Sequence, residues 1–208
     1  MVKRLQLAVP AAVLVLALCF IGYLTAAVKN RVVPNSLTVV QTPNQTSAST
    51  PDRFKQLSGK AAPTPAGVNL ALNKPVQCNG YTQVYIPKNA TDGKDTSYWE
   101  GAPKSYPDEL TVDLGQAYAV TAIRIKLNPA SVWSKRTQDI EIQGSGDRQT
   151  FTTLVAKATY AFDPESGNLA DIKLPSGAKT RYVKLIFTAN TQATGGQAAE
   201  VEIYGPGK

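Results

Sequence analysis

The chain has 208 residues, 43% of them hydrophobic, with a formal net charge of +7 and no histidine. That length excludes two large domains and a multi-span membrane protein. The missing histidine excludes Ser-His-Asp and Cys-His catalysis and imidazole-ligated metals. Cys19 and Cys78 are the only cysteines, and Cys19 lies in an apolar run, so a disulfide framework and a cysteine-ligated zinc site are excluded as well. The charge is uneven. Up to Val68 there are seven basic residues against one acidic, whereas from Asn69 onward there are 15 basic and 14 acidic. A nucleic-acid binder would need its basic excess on the folded part, so no nucleic-acid partner is expected.

Residues 7–28 are 22 positions without a charged side chain, preceded by Lys3 and Arg4 and followed by Lys29 and Arg31. As a helix they span roughly 33 Å, enough for a bilayer core of about 30 Å. A retained signal-anchor, one transmembrane helix, fits the length. A cleaved signal peptide fits the basic start and the small residues Thr25 and Ala27. A lipid anchor at Cys19 fits less well, because Leu18 precedes it and apolar sequence continues beyond. The flanking charges nearly tie, so they orient the span weakly.

Residues 29–68 carry Pro34, Pro43, Pro51, Pro63 and Pro65 among Ser, Thr, Gln and Asn, a composition that cannot bury a core. They read as a flexible linker whose end-to-end distance is on the order of 35 Å. Residues 69–208 read as one domain, long enough to bury roughly 68% of its unfolded surface.

Within that domain several segments alternate with period two. Leu110, Val112 and Leu114 share a face; Ile123, Ile125 and Leu127 share another, with Arg124 and Lys126 opposite. Asp139-Ile-Glu-Ile-Gln143, then Val183, Leu185 and Phe187, then Val201-Glu-Ile-Tyr204 continue the pattern. Asn69-Leu-Ala-Leu-Asn73 reads as a short strand or a turn lead-in. Turn-rich pieces separate these runs, and no stretch has helical period, so an all-β sandwich is expected. Asp108 and Glu109 are adjacent acids, but strand neighbours face opposite ways, which reads as a solvated strand start and not as a glycosidase carboxylate pair.

The order of motifs is more specific than any one of them. Asn69-Leu-Ala-Leu-Asn-Lys-Pro75 opens the domain, followed by Asn89-Ala-Thr-Asp-Gly93, Thr96-Ser-Tyr-Trp-Glu100, Leu110-Thr-Val-Asp-Leu-Gly115, Ile140-Glu-Ile-Gln143, Arg181-Tyr-Val-Lys-Leu185 and Ala199-Glu-Val-Glu-Ile-Tyr-Gly205. This resembles the discoidin family, the coagulation factor five/eight C-type domains, whose bacterial members are grouped with family 32 carbohydrate-binding modules. The resemblance covers residues 69–208. It implies an eight-stranded antiparallel jelly roll of the galactose-binding-like type. Cys78 has no partner for the end-to-end disulfide frequent in animal members, which places the chain nearer the bacterial branch.

The resemblance also implies a structural calcium ion, held by the carbonyls of Asn89, Lys94 and Ala199, the carboxylates of Asp92 and Glu200, and the Ser97 hydroxyl. Calcium takes six to eight hard oxygens in flexible geometry, so a Gly-containing turn facing the closing strand suits it. The alternative is that Asp92 only caps the turn at Gly93. Galactose-binding relatives place a histidine after the motif tryptophan and an Arg/Asn pair before the Ile140 strand. Here Glu100 follows Trp99, and the loop reads Asn128-Pro-Ala-Ser-Val-Trp-Ser-Lys-Arg136. The candidate ligand residues are therefore Tyr81, Tyr85, Glu100, Trp133, Lys135 and Arg136, aromatic platforms for sugar C–H faces beside polar groups for hydroxyls. Trp99 is expected in the core.

The expected function is a non-catalytic, membrane-tethered, extracytoplasmic module recognising a carbohydrate or cell-surface glycan. A protein–protein or assembly module on the same sandwich is the alternative, with a lipid-surface binder behind it and secretion as the alternative location.

Overall fold

Residues 62–175 and 178–207 are described by the structure, a computed structural model. The expected membrane span, residues 7–28, and most of the expected linker lie outside the described residues. Among the described residues no helix is long and apolar enough to cross a membrane.

Alternating side chains become strands wherever one face can be buried. The described residues form β1 (Val68–Asn69), β2 (Val76–Cys78), β3 (Trp99–Glu100), β4 (Asp108–Ala119), β5 (Ala122–Lys126), β6 (Arg136–Ser145), β7 (Thr152–Phe162), β8 (Leu169–Lys173), β9 (Lys179–Asn190), β10 (Gln197–Ala198) and β11 (Glu200–Gly205). Eleven strands stand where eight are expected, because β1, β3 and β10 are two-residue pairings at the margins. Two short 3-10 turns, Pro87–Thr91 and Pro164–Ser166, sit where proline-rich turns are expected.

All pairings are antiparallel. A five-stranded sheet runs β2-β4-β9-β6-β7, a four-stranded sheet runs β1-β11-β5-β8, and β10 pairs with β3. Leu110, Val112, Leu114, Ile140, Ile142, Val183, Leu185 and Phe187 of the first sheet form one fully buried cluster with Ile123, Ile125, Val201 and Ile203 of the second. Each such side chain contributes about 1.5–3 kcal/mol relative to exposure. This all-β sandwich holds the site, because the loops at one end leave from strands that the core makes rigid.

Two residues behave differently from their place in the alternation. Arg124 points out of the core yet is buried, bound to both carboxylate oxygens of Asp171 at 2.7 and 2.9 Å. Its guanidinium also donates to the carbonyls of Pro63 (2.6 Å) and Ala62 (3.3 Å). The chain reverses near Gly67, whose φ of +104° only glycine adopts freely, so residues before β1 lie against the sheet. Arg124→Gln is expected to cost about 1–3 kcal/mol, since carbonyls and a carboxylate lose a charged donor. Limited proteolysis should then cut the variant faster ahead of Val68.

Asp108 corrects the expectation of a solvated strand start. It is fully buried, accepting hydrogen bonds from the Gly196 amide (2.8 Å) and the Ser105 hydroxyl (3.0 Å). Glu109 faces the other way and pairs with Lys184 at 2.9 Å.

Candidate functional site

The segment between β2 and β3, the β5–β6 loop and the β9–β10 loop meet at one end of the sandwich. Backbone hydrogen bonds hold the first of these in place: Thr82 donates to the Glu100 carbonyl (3.1 Å), and Glu100 donates to that of Tyr85 (3.2 Å). Trp99 is buried, as expected, against Phe187, with its indole N–H on the Gly80 carbonyl at 3.3 Å. Strand alternation then turns its neighbours Tyr98 and Glu100 to the other side.

Three aromatic rings cluster there. Tyr85 stacks on Tyr98 with centroids 4.2 Å apart, and Trp133 meets Tyr98 edge-on at 4.7 Å. The Arg136 guanidinium lies 4.8 Å from the Trp133 ring centre. Arg136 is buried and donates to Gln197 Oε1 (2.6 Å) and to the Ser134 carbonyl (3.1 Å). Gln197 in turn donates to Glu100 Oε2 at 2.9 Å. Burial and the neighbouring Tyr85 hydroxyl hold the Tyr98 phenol well above its ordinary pKa, so it stays a neutral hydroxyl. Around the cluster stand exposed apolar side chains, Val84 at 73% and Val132 at 54% of full exposure.

The structure brings together Tyr85, Glu100, Trp133 and Arg136 of the expected ligand set. Tyr85 stacks with Tyr98, whereas the exposed Tyr81 has no ring partner among the described residues. Trp133 is half-buried, one face covered by Arg136 and the edge of Tyr98 against it, so it props the cluster more than it offers an open platform. Arg136 is an internal strut. Lys135 is exposed and pairs with Asp163 at 2.7 Å. Tyr98 and Gln197 complete the cluster, and neither stands out in the sequence. Tyr98 is signalled only by the alternation around the inward Trp99. Gln197 reaches the site through the β3–β10 pairing, which joins residues 97 apart.

The second candidate centre is the Asp-Gly turn facing β11. Glu200 is 3% exposed, and its Oε1 accepts from the amides of Gly93 (2.7 Å) and Lys94 (3.0 Å). Asp92 accepts from the Ser97 hydroxyl (2.8 Å) and the Lys94 amide (2.9 Å). Burial and the adjoining Asp92 carboxyl push Glu200 up to about 8. The Asn89 side chain is committed to the Tyr98 carbonyl at 2.9 Å, which leaves its own carbonyl as the oxygen it could lend. Ala199 precedes Glu200, its amide bound to the Lys126 carbonyl at 2.8 Å. Among the described residues no three carboxylate or thiol side chains gather for a metal. A cation here would rest on two carboxylates plus backbone and hydroxyl oxygens. That donor set is all-oxygen, as calcium requires, and a buried carboxylate beside a second one has a charge to neutralise.

The family model for the F5/8 type C domain matches residues 75–201. The chain belongs to this family. Among solved structures, chitosan-binding module 1 of a chitosanase/glucanase from Paenibacillus sp. IK-5 is 25% identical, with a TM-score of 0.50 over 66% of this chain and 98% of that one. The family 32 carbohydrate-binding module of C. perfringens NanJ, solved with galactose, is 19% identical (TM-score 0.52, 64% of this chain, 93% of that one). The corresponding module of AlyQ, solved with 4,5-unsaturated mannuronic acid, is 23% identical (TM-score 0.52, 62% and 93%). No curated protein matches the chain. The likeness to these modules shows the discoidin-type fold shared with carbohydrate-binding proteins.

Proposed function

We propose that this F5/8 type C domain is a non-catalytic module that binds a carbohydrate through the Tyr85–Tyr98–Trp133 cluster and Glu100. The observation that carries the reading is the cluster itself. The partly exposed rings offer apolar surface for sugar C–H groups, and the Glu100 carboxylate, fixed by Gln197, offers an acceptor for hydroxyls. The usual galactose set of the family is absent, so a sugar other than terminal galactose is the expected ligand. The fold relatives that bind chitosan, galactose and an unsaturated uronate are consistent with a sugar ligand of varied type. Residues 7–28 serve as the membrane anchor and 29–68 as the spacer, with the domain outside the cell. A calcium ion between Asp92 and Glu200, joined by Ser97 and the carbonyls of Asn89, Lys94 and Ala199, ties the turn to the closing strand.

A glycan and polysaccharide array probed with the purified full chain in calcium tests this. Saturable binding to a neutral glycan is expected, falling about tenfold in both Tyr85→Ala and Glu100→Gln, a loss of about 1.4 kcal/mol in each. An array without any saturable signal from a folded protein would refute the reading. The exposed Val84, Ile86 and Val132 beside the cluster favour one alternative, a protein partner docked on the same loops. A blank array together with a stoichiometric protein complex lost in Val84→Asp would establish that instead.

A further inference from the structure

The outer face of the five-stranded sheet carries a second groove, which shares no lining residue with the aromatic cluster. The pairing register sets Gln77 of β2, Thr111 of β4 and Lys184 of β9 in one row across the sheet. The β6–β7 turn places Arg148 and Phe151 at its border. Two adjoining cavities, of about 220 and 50 Å³, share Gln77, Thr111 and Arg148 as a common wall. Their lining mixes polar side chains, the Glu109 and Asp113 carboxylates among them, with Pro75, Cys78, Phe151 and Tyr182, and two joined cavities suit a chain-like ligand better than a single small molecule.

Of the two cations that line these cavities among the described residues, one is paired and one is not. Lys184 has Glu109 at 2.9 Å, and Arg181 holds both oxygens of Asp113 at 2.8 and 2.9 Å. Among the described residues the Arg148 guanidinium has no hydrogen bond and no ion pair, although it lies near enough to Asp113 to help hold that carboxyl below its ordinary range. Its turn does not need the side chain. The Arg148 amide bonds to the Ser145 hydroxyl at 2.8 Å, and Asp147 Oδ1 accepts from the Gln149 and Thr150 amides, both at 2.9 Å. Arg148 itself takes a φ of +66°, an uncommon conformation for a non-glycine residue, and the turn is stapled around it. The side chains of Gln77 and Thr111 likewise have no hydrogen-bond partner among the described residues. A planar five-donor cation, a primary amide and a hydroxyl lining one groove form a set that a carboxylate with neighbouring hydroxyls would satisfy.

We propose that this groove binds an acidic saccharide chain of the uronate class, with Arg148 gripping one carboxylate and Gln77 and Thr111 meeting ring hydroxyls. The proposal rests on the domain being a carbohydrate module and adds a second site and a ligand class. The test is calorimetric titration of the full chain with tetragalacturonate, a mannuronate tetramer and the methyl ester of tetragalacturonate. At least one of the two uronates should bind and the ester should not, and added NaCl should weaken the binding. Arg148→Gln should weaken uronate binding tenfold or more with little change in unfolding temperature, since the guanidinium makes no hydrogen bond or ion pair among the described residues, whereas Tyr85→Ala should leave it intact. Absence of binding by either uronate, wild-type affinity in Arg148→Gln, or loss in Tyr85→Ala instead would each overturn the proposal. Neutral-glycan binding through Tyr85 without uronate binding would sink this groove alone. Arg148-dependent uronate binding with a blank neutral array would sink the aromatic site and leave the groove standing.

Discussion

Calcium at 100 times its dissociation constant is expected to raise the unfolding temperature of the domain by about 8 °C, and a chelator to remove the gain. Saturation at that level is worth about 2.7 kcal/mol, and a domain of this size shifts by roughly 3 °C per kcal/mol. The expectation follows from the place of Glu200. It is buried on β11, it bonds two amides of the Asp92–Lys94 turn, and its neighbour Asp92 carries like charge. The sign with pH is fixed by the same arrangement. Without metal, the folded-state pKa of about 8 lies above the ordinary 4.5, so the folded protein binds more protons than the unfolded chain between those values. The contribution of this group to stability is then full below pH 4.5 and is lost as pH rises toward 8. Calcium needs the ionised carboxylate, so its stabilising effect should grow over the same window and be small at pH 5. Differential scanning at pH 5, 6.5 and 8, with calcium and with chelator, reads both trends. Glu200→Gln should erase the calcium response. A full calcium shift persisting in that variant would place the ion elsewhere, and no shift in the wild type would remove it.

The parts of the fold that were legible in the sequence are those where burial is one-sided. From Leu110 to Leu114 in β4, and at Ile123 and Ile125 in β5, every second residue is a fully buried aliphatic between polar ones, so period two is plain. β7 escapes the same reading. It is the edge of its sheet, mostly exposed, and built of Thr, Ala and Lys, so no buried face imprints a pattern on it. β2, β3 and β10 are too short for any period to register. The candidate sites divide in the same way. Trp133 and Tyr85 on loops, and Glu100 after the motif tryptophan, are conspicuous as residue types. Of their partners, Tyr98 is signalled only by the alternation around Trp99, and Gln197 becomes visible only once β3 pairs with β10. The function of Arg136 as a strut is set by burial that no local pattern encodes. Asp108 is the sharpest case: as one of two neighbouring acids it reads as solvated, yet the nearby Ser105 hydroxyl and the Gly196 amide, brought in from a distant loop, make its burial stable.

Trp99→Ala is expected to be the most damaging single substitution in the domain, costing about 3–5 kcal/mol. Trp99 is the largest fully buried side chain, packed against Phe187 with centroids 5.3 Å apart. Truncation removes the contacts of the indole and leaves a cavity that the paired strands around it cannot close. It also orphans the Gly80 carbonyl, which the indole N–H serves across the base of the 79–86 segment. At roughly 3 °C per kcal/mol the unfolding temperature should fall by about 9–15 °C. The effect reaches the proposed sugar site because Tyr98 and Glu100 flank Trp99 on the strand. Their outward aim depends on Trp99 pointing in. Trp99→Phe separates the two roles: it keeps an aromatic anchor while removing the N–H donor, so it should recover most of the stability and place Tyr98 and Glu100 correctly. Glycan affinity in Trp99→Phe should therefore stay within about threefold of wild type, a difference of about 0.7 kcal/mol, whereas Trp99→Ala should bind weakly even below its unfolding temperature. Undiminished binding by folded Trp99→Ala would mean that the aromatic cluster is held without its core anchor, and the link from the buried strand to the site would fail.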